Sequence, residues 1–435
     1  MTNVLAIGGY DPTGGAGIVA DAKTIKVLEC NPLTIITSII PQNSLKVYNK
    51  TDLPRDEIKN QLDAIFEDFE VSIVKTGVLT KDSIDLILEF QKKYGFKVVC
   101  DPVIKSTTNY EFVDNELMDK YLELFKKSYL ITPNKEEYEY IMKFIKDKDL
   151  NDFKETHVLV TGVKDRLQKF DGKEIFAIQA KKIEKEVHGT GCVFSSAIAS
   201  FLSKGCTLTD SIKEAKKLVL SSVIYAEKTK YGYNSNPTYI NKKKVIDNIN
   251  YAVYLLKKMD FSLVPEVGSN IAESLVLPDN YHDVAALTGR IIRNKLGGFY
   301  IVGDVEFGAS EHIAKIILAA NQFNPKIRAC MNIKYDDVLV KKLEEGELGF
   351  KVSSFNRKDE PPMVSSMEWG TKTAFTNYIL NNDLDPAKEE VKLDIVYDRG
   401  GDGKEPMIRV LGYDAVDVIK KVQKIEEYIL TNSGF

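Results

Sequence analysis

Cysteine is scarce. The five present, Cys30, Cys100, Cys192, Cys206 and Cys330, are odd in number and have no paired metal-ligand spacing. That argues against a zinc ribbon or a disulfide framework and for reduced thiols in a cytoplasmic protein. Positive charge is not in surplus. The formal net charge is -4, so the basic footprint of a nucleic-acid binder is missing. Long hydrophobic runs are missing too: no stretch approaches the ~18 apolar residues of a membrane helix. The opening "MTNVLAIGGY" lacks the basic start and long apolar core of a signal peptide. Neither nucleic acid nor a membrane is expected as a partner.

What remains is an ordinary globular composition, 44% hydrophobic and 28% charged, spread over 435 residues. That length exceeds one core and predicts two or three domains of about 100 to 200 residues. Through the first half, strand-like runs ("VLAIGG", "LTIITSII", "VSIVKTG", "FKVVCDP", "YLITPN", "HVLVTG") alternate with amphipathic helical runs. Such alternation predicts a parallel sheet covered on both faces. "LQKFDGKEIFAIQAKKI" reads as a hairpin turning at Asp171-Gly172, and two helices follow. "KYGYNSNPTYINKKK" breaks the rhythm, placing a boundary near residues 236 to 246. One domain is expected over 1–240 and a second, smaller α/β domain over 247–435.

Two glycine clusters stand out. "GGYDPTGGAGIVADAKT" fits a loose dinucleotide pattern at Gly15–Ala20. However, "YDPT" intervenes after the strand, and no acidic residue closes a second strand. No Lys-Ser or Lys-Thr follows, so it is not a Walker loop either. Taken alone, it reads as a tight turn. The second cluster, "EVHGTGCVFSSAIAS", is the better anion site. Gly189-Thr190-Gly191 opens a helix whose unpaired N–H groups carry partial positive charge. Cys192 lies in that field, which predicts a lowered pKa and a thiolate; a buried structural thiol is the commoner fate of a lone cysteine. In "ITPNKEEYEY", Asn134 and Glu137 bracket a strand-to-helix turn, where a carboxylate is usually a cap. With Asp101 of "VVCDP", they fall on the carboxyl edge of the expected sheet, where open α/β folds bind ligands.

Together "GGYDPTGGAGIVADAKT", "IIPQNS", "VKTGVL", "CDPVI", "ITPNKEE" and "HGTGC" resemble, in order and spacing, the hydroxymethylpyrimidine/hydroxymethylpyrimidine-phosphate kinase family of thiamine biosynthesis. The resemblance covers about residues 1 to 240. It implies a ribokinase-like three-layer α/β/α fold and ATP-dependent phosphorylation of 4-amino-5-hydroxymethyl-2-methylpyrimidine and then of its monophosphate. It further implies that Asp21, Gln42 and Val78 meet the pyrimidine, and that Asn134, Gly189, Thr190 and Gly191 meet the ATP phosphates. Asp101 and Glu137 would serve Mg²⁺, with Cys192 as base. Gln42 suits its task because an amide offers both a donor and an acceptor. Thr161 stands where the family usually has Lys-Gly-Gly, Val78 where it has Met, and Lys135-Glu136 where it has Leu-Pro.

The second half carries "EVGSNIAESL", "DVAALTGRIIR", "VEFGASEHIAKIILAA", "EWGTKTA" and "VYDRGGDGKEPMIRVLG". Arg290, Arg293, Lys404 and Arg409 are candidate phosphate partners, and "DRGGDGKEP" reads as a flexible closing loop. These segments resemble the archaeal-type thiamine-phosphate synthase domain, with Arg290 and His312 at positions implied to be essential. The implied reaction displaces pyrophosphate from the pyrimidine diphosphate by the nitrogen of thiazole phosphate. Two alternatives stay open at this point: a non-catalytic domain sensing thiamine phosphates, and a pyridoxal-type kinase of the same fold. Small-molecule substrates and assembly into a homo-oligomer are expected.

Overall fold

Apolar runs closed by glycine, proline or an acidic residue become the strands of the first half, and the amphipathic runs after them become its helices. The computed structural model describes all residues except 107–109, 147, 163, 180–182, 184, 296, 387–388 and 432–435. It separates into two units, Met1–Tyr239 and Ile240–Phe435. In the first, the order is β1 (Asn3–Tyr10), α1 (Gly17–Val27), β2 (Asn31–Ile39), β3 (Thr51–Asp52), α2 (Arg55–Asp68), β4 (Ile73–Thr76), α3 (Lys81–Tyr94), β5 (Lys97–Cys100), α4 (Asn115–Lys127), β6 (Leu130–Ile131), α5 (Lys135–Ile145) and β7 (His157–Val160). The hairpin β8 (Lys164–Gln168) and β9 (Glu174–Gln179) follows, then α6 (Thr190–Ser203), α7 (Leu208–Ile224) and a short ribbon, β10 (Glu227–Lys228) with β11 (Tyr233–Asn234).

The nine strands run β3-β2-β1-β4-β5-β6-β7-β8-β9. The six from β2 to β7 are mutually parallel; β3 runs against them at one edge, and at the other β8 pairs antiparallel with β7 and β9 antiparallel with β8. One face packs on α2 to α5 through Ile58, Leu62, Ile87, Leu122 and Ile141, and the other on α1, α6 and α7 through Ile25, Val193, Ala197 and Ile212. This is the three-layer α/β/α order expected. Each such fully buried Leu, Ile or Val contributes roughly 1.5–3 kcal/mol. α3 shows the local logic: Thr80 and Ser83 form a reciprocal capping box, and left-handed Gly95 stops the helix.

The second unit holds α8 (Lys242–Leu256), β12 (Ile271–Ser274), β13 (Val284–Leu287), β14 (Ile291–Arg293), β15 (Phe299–Ile301), β16 (Val305–Phe307), α9 (Glu311–Phe323), β17 (Ala329–Lys334), α10 (Asp337–Glu344), β18 (Val352–Ser354), α11 (Ser366–Asn381), β19 (Ile395–Asp398), β20 (Met407–Gly412) and α12 (Ala415–Thr431). Seven strands form a sheet in the order β16-β13-β12-β17-β20-β19-β18, antiparallel except for β18 with β19. α8, α10 and α12 cover one face and α9 and α11 the other. The "INKKK" end of the stretch expected to be a linker differs from that reading. Asn241 caps α8, and its Val245, Ile249, Ala252 and Leu256 are fully buried in the second core. Among the described residues, no helix is long and apolar enough to cross a membrane.

Candidate active sites

The carboxyl ends of the parallel strands open into a cavity of about 370 Å³, with the start of α6 forming part of its wall. Asp21, Gln42, Val78, Asp101, Asn134, Glu137, Gly189, Thr190, Gly191 and Cys192 all line it. Residues far apart in sequence therefore converge where a doubly wound sheet binds its ligands. The two glycine clusters meet there as well. Gly189 is left-handed (φ 89°), and a Cβ on it would lie 1.8 Å from the Gly15 carbonyl oxygen. The first loop is thus packed against the start of α6. Asp11 organises it by accepting from the N–H groups of Thr13 (2.8 Å) and Ala16 (2.9 Å). The ribbon β10–β11 braces the same rim: Ser235 N–H donates to the His188 carbonyl, and the Ser44 and Thr229 hydroxyls meet at 2.8 Å, two residues from Gln42.

A buried charge cluster forms the floor. Asp21, 1% exposed, accepts from Lys75 Nζ and from the Ser196 hydroxyl through Oδ1, both at 2.8 Å. Its Oδ2 has no partner among the described residues. Lys75 is fully buried and also lies 4.0 Å from Asp101 Oδ2, which accepts from Ser195. Burial pushes the Asp21 and Asp101 carboxyls up against the pull of Lys75. It also opposes the Lys75 ammonium, but Asp21, Cys192 and Asp101 together hold that group above the ordinary lysine range. A buried pair of this kind is a poor stabiliser, and its place on a cavity floor points to chemistry. Glu137 and Asn134 form a reciprocal capping box, and burial and then Asp101 push the Glu137 carboxyl up to about 8. Asp101 already has Lys75 4.0 Å away, but Glu137 meets the repulsion of Asp101, which a divalent metal between the two carboxylates would relieve.

The expectation for Cys192 is corrected. It keeps partial exposure toward the cavity, yet its thiol is pushed up to about 12 rather than lowered. Burial is the largest cause, and Asp21 and Asp101 add to it. Lys75 and the Gly17 N–H pull the other way and lose.

In the second unit, Arg290, His312, Lys404 and Arg409 line one cavity of about 330 Å³ with Asn270, Asn332, Ser310, Ser366, Arg357 and Glu405. Arg293 does not join them. It sits at the far end of the β14–β15 ribbon, opposite Phe299, and lines a separate open cleft. Arg409, 2% exposed, is bonded to Asp398 at 2.7 Å. Lys404 reaches Glu360 (3.2 Å) and Ser366 (3.1 Å). The loop expected to be flexible is tied down: the Glu405 carboxylate accepts from the N–H groups of Glu266 and Val267. His312, in the first turn of α9, has its pKa lowered by burial and by Arg290, Arg409, Lys315 and Arg357. It is therefore neutral at pH 7, an imidazole among guanidiniums.

Sequence reasoning missed Lys75, Asp11, Arg357 and Asp398. Lys75 had a signal, a lone cation in the apolar strand "VSIVKTG". Asp398 ends "LDIVYD" as Asp101 ends "VVCD", but nothing in "SSFNRKDE" marks Arg357.

Residues 11–239 match the family model described as phosphomethylpyrimidine kinase, and residues 248–424 the model described as thiamine-phosphate synthase ThiN. Among curated proteins, the chain is 62% identical to the bifunctional thiamine biosynthesis protein ThiDN of Methanocaldococcus jannaschii, over 98% of each chain. It is 35% identical to the hydroxymethylpyrimidine/phosphomethylpyrimidine kinase of Aquifex aeolicus, over 53% of this chain and 97% of that one. Among solved structures, it is 30% identical to a phosphomethylpyrimidine kinase of Clostridium difficile, covering 51% of this chain and 100% of that one with a TM-score of 0.42.

Proposed function

Because the chain belongs to the family of bifunctional thiamine-biosynthesis enzymes, a phosphomethylpyrimidine kinase followed by a thiamine-phosphate synthase, we propose that each activity resides in one of the two cavities. The first phosphorylates 4-amino-5-hydroxymethyl-2-methylpyrimidine and then its monophosphate with ATP. The second joins the diphosphate to thiazole phosphate. The observation that carries this reading is the convergence of an amide, an open carboxylate oxygen, an anion-binding helix start and a carboxylate pair on one sheet edge.

In the first cavity, the Gln42 amide pairs with the pyrimidine edge, the open Oδ2 of Asp21 accepts a hydrogen bond from it, and Val78 packs on the ring. The N–H groups of Gly189, Thr190 and Gly191 face the ATP phosphates, bordered by Asn134. Asp101 and Glu137 would hold Mg²⁺, which when bound neutralises phosphate charge. In the first step, the hydroxymethyl oxygen forms a bond to the γ-phosphorus as the bond to the β,γ-bridging oxygen breaks and ADP leaves. The hydroxyl proton passes to Cys192 Sγ in its thiolate form. In the second step the nucleophile is a phosphate oxygen, which has no such proton to lose.

In the second cavity, the thiazole nitrogen forms a bond to the pyrimidine methylene carbon as that carbon's bond to oxygen breaks and pyrophosphate leaves. Arg290, Lys404 and His312 face the leaving group, and fixed cations stabilise the charge it gains. Arg409, anchored on Asp398, supports them from the floor, and Arg293 takes no part. All five cysteines are free thiols, which suits a cytoplasmic enzyme. Exposed Ile292, Tyr300 and Val302 are apolar surface available to a homo-oligomer.

The test is a one-pot assay of the full chain with ATP, Mg²⁺, the hydroxymethylpyrimidine and thiazole phosphate. Thiamine phosphate is the expected product. Build-up of pyrimidine diphosphate with no thiamine phosphate would leave the second cavity a sensor and sink that half of the reading.

A further inference from the structure

The floor of the second cavity carries more positive charge than the protein itself neutralises. Arg357, which follows β18, and Arg409 on β20 point at a single carboxylate. Asp398 Oδ1 accepts from Arg357 Nε at 2.5 Å, and Oδ2 accepts from Arg357 Nη2 at 3.2 Å and from Arg409 Nη2 at 2.7 Å. The side chains of Arg357, Arg409 and Asp398 are 7%, 2% and 0% exposed. Two guanidiniums thus share one anion out of water, leaving one buried positive charge uncompensated, which a low-dielectric site tolerates only if a counter-ion is supplied.

The two arginines are not equivalent. Arg409 spends further contacts inward, on the Met407 carbonyl (3.4 Å) and Met367 sulfur (3.7 Å). Arg357 gives Asp398 one edge of its fork only, and its Nη1 makes no hydrogen bond among the described residues. Phe355 lies 5.6 Å from one guanidinium carbon and 5.3 Å from the other, so both planes are held against a ring that offers no hydrogen-bond acceptor. Arg357 lines the cavity with Arg290, His312 and Lys404. A guanidinium locked on one edge and open on the other is organised in advance to take two oxygens of a phosphate.

We propose that Arg357 binds a phosphate group of the substrates in the second cavity, and that Asp398 is the positioning residue that fixes it. This deepens, and rests on, the reading of that cavity as a phosphate-handling site. The chain supplies its own probe. Its single tryptophan, Trp369, packs edge-on against Phe355 at 5.9 Å between ring centroids, so its emission reports on this floor and not on the first unit.

The experiment titrates the full chain with pyrophosphate while following tryptophan emission. It is repeated for Arg357→Lys and Arg357→Met. Kinase turnover and melting temperature are recorded for each. Wild type is expected to give a saturable change. Arg357→Met should weaken pyrophosphate at least about tenfold, as loss of one member of a buried charged pair does. Arg357→Lys, which keeps the charge and loses the fork, should fall between. Arg357→Met decides the matter, since it strands no carboxylate: Asp398 stays paired one to one with Arg409 at 2.7 Å. It should keep the melting temperature and normal kinase turnover, yet bind pyrophosphate weakly. Wild-type affinity in Arg357→Met would leave Arg357 only a partner of Asp398 and overturn the proposal, as would absence of any pyrophosphate binding by wild type. A chain that binds pyrophosphate through Arg357 but never forms thiamine phosphate would sustain this inference while the synthase reading fails.

Discussion

At the scale of single residues, the least expected feature is a thiol at a helix start that is harder, not easier, to ionise. A helix N-terminus acts over its first turn, but at Cys192 the desolvation of the thiolate and two nearby carboxylates outweigh it. The consequence is testable because only one of the two phosphorylations needs a base. Below a pKa of about 12, the thiolate fraction grows about tenfold per pH unit. Turnover with the hydroxymethylpyrimidine should therefore rise steadily with pH, while turnover with its monophosphate should not follow that slope. Cys192→Ala should abolish the slope and cut the first step far more than the second, with little change in the Michaelis constant for either pyrimidine. Equal losses in both steps would mean that Cys192 shapes the anion site and is not the base. In the second cavity the sign runs the other way. His312 is held neutral by burial and by surrounding cations, so its folded pKa lies below the ordinary histidine value. Its contribution to stability is complete above that ordinary value and is lost as pH falls through the window below it. A bound pyrophosphate counters those cations and should raise the pKa. Calorimetry near pH 6 in buffers of different ionisation enthalpy should then show proton uptake on pyrophosphate binding, and His312→Ala should remove it.

Elements matter here through the way two glycine turns interlock. Gly189 needs both a left-handed backbone and the absence of a side chain, because the Gly15 carbonyl occupies the space a Cβ would take. Gly189→Ala must either push the first loop away or unwind the start of α6; strain plus displacement of this kind costs on the order of 1–3 kcal/mol or more. Kinase activity should fall at least about a hundredfold while thiamine-phosphate synthesis from supplied diphosphate stays unchanged. Loss of both activities would show that the substitution unfolds more than the site. The same interlock explains what could be read in advance. Periodicity marked every strand and helix of the parallel sheet, since burial on both faces makes its strands continuous apolar runs. The individual glycines gave no hint that the two turns touch, because a contact across more than 170 residues of sequence has no local pattern. Short strands in the second unit, such as β14 and β18, escaped for a related reason: three residues carry too little alternation to be seen. Arg293 was misplaced with them, since sequence proximity to Arg290 says nothing about which end of a ribbon each one occupies.

For the whole molecule, the question is whether two units with separate cores are also separate enzymes. The division falls between Tyr239 and Ile240. Tyr239 packs against Phe201 of α6, whereas Ile240 packs on the core of the second unit and Asn241 caps α8. Composition alone placed the linker through the lysine run to residue 246, because lysines with asparagine and proline look solvated; the apolar stripe of α8 shows through only when read at helical spacing. A cut after Lys244 would strip α8 of its cap and first turn. A cut after Tyr239 leaves both cores whole. A fragment of residues 1–239 should therefore fold, phosphorylate the hydroxymethylpyrimidine twice and form no thiamine phosphate. A fragment of residues 240–435 should form thiamine phosphate from supplied diphosphate and thiazole phosphate without ATP, whereas one starting at Val245 should melt lower, its stability reduced by at least the value of a lost cap, about 0.5–2 kcal/mol. Arg290→Ala in the full chain should remove the synthase activity and leave both kinase steps intact, since independent sites seldom couple. If residues 240–435 fold and bind thiamine phosphate but never make it, the second unit senses the product of the pathway, and its cationic cavity binds phosphates without turning them over.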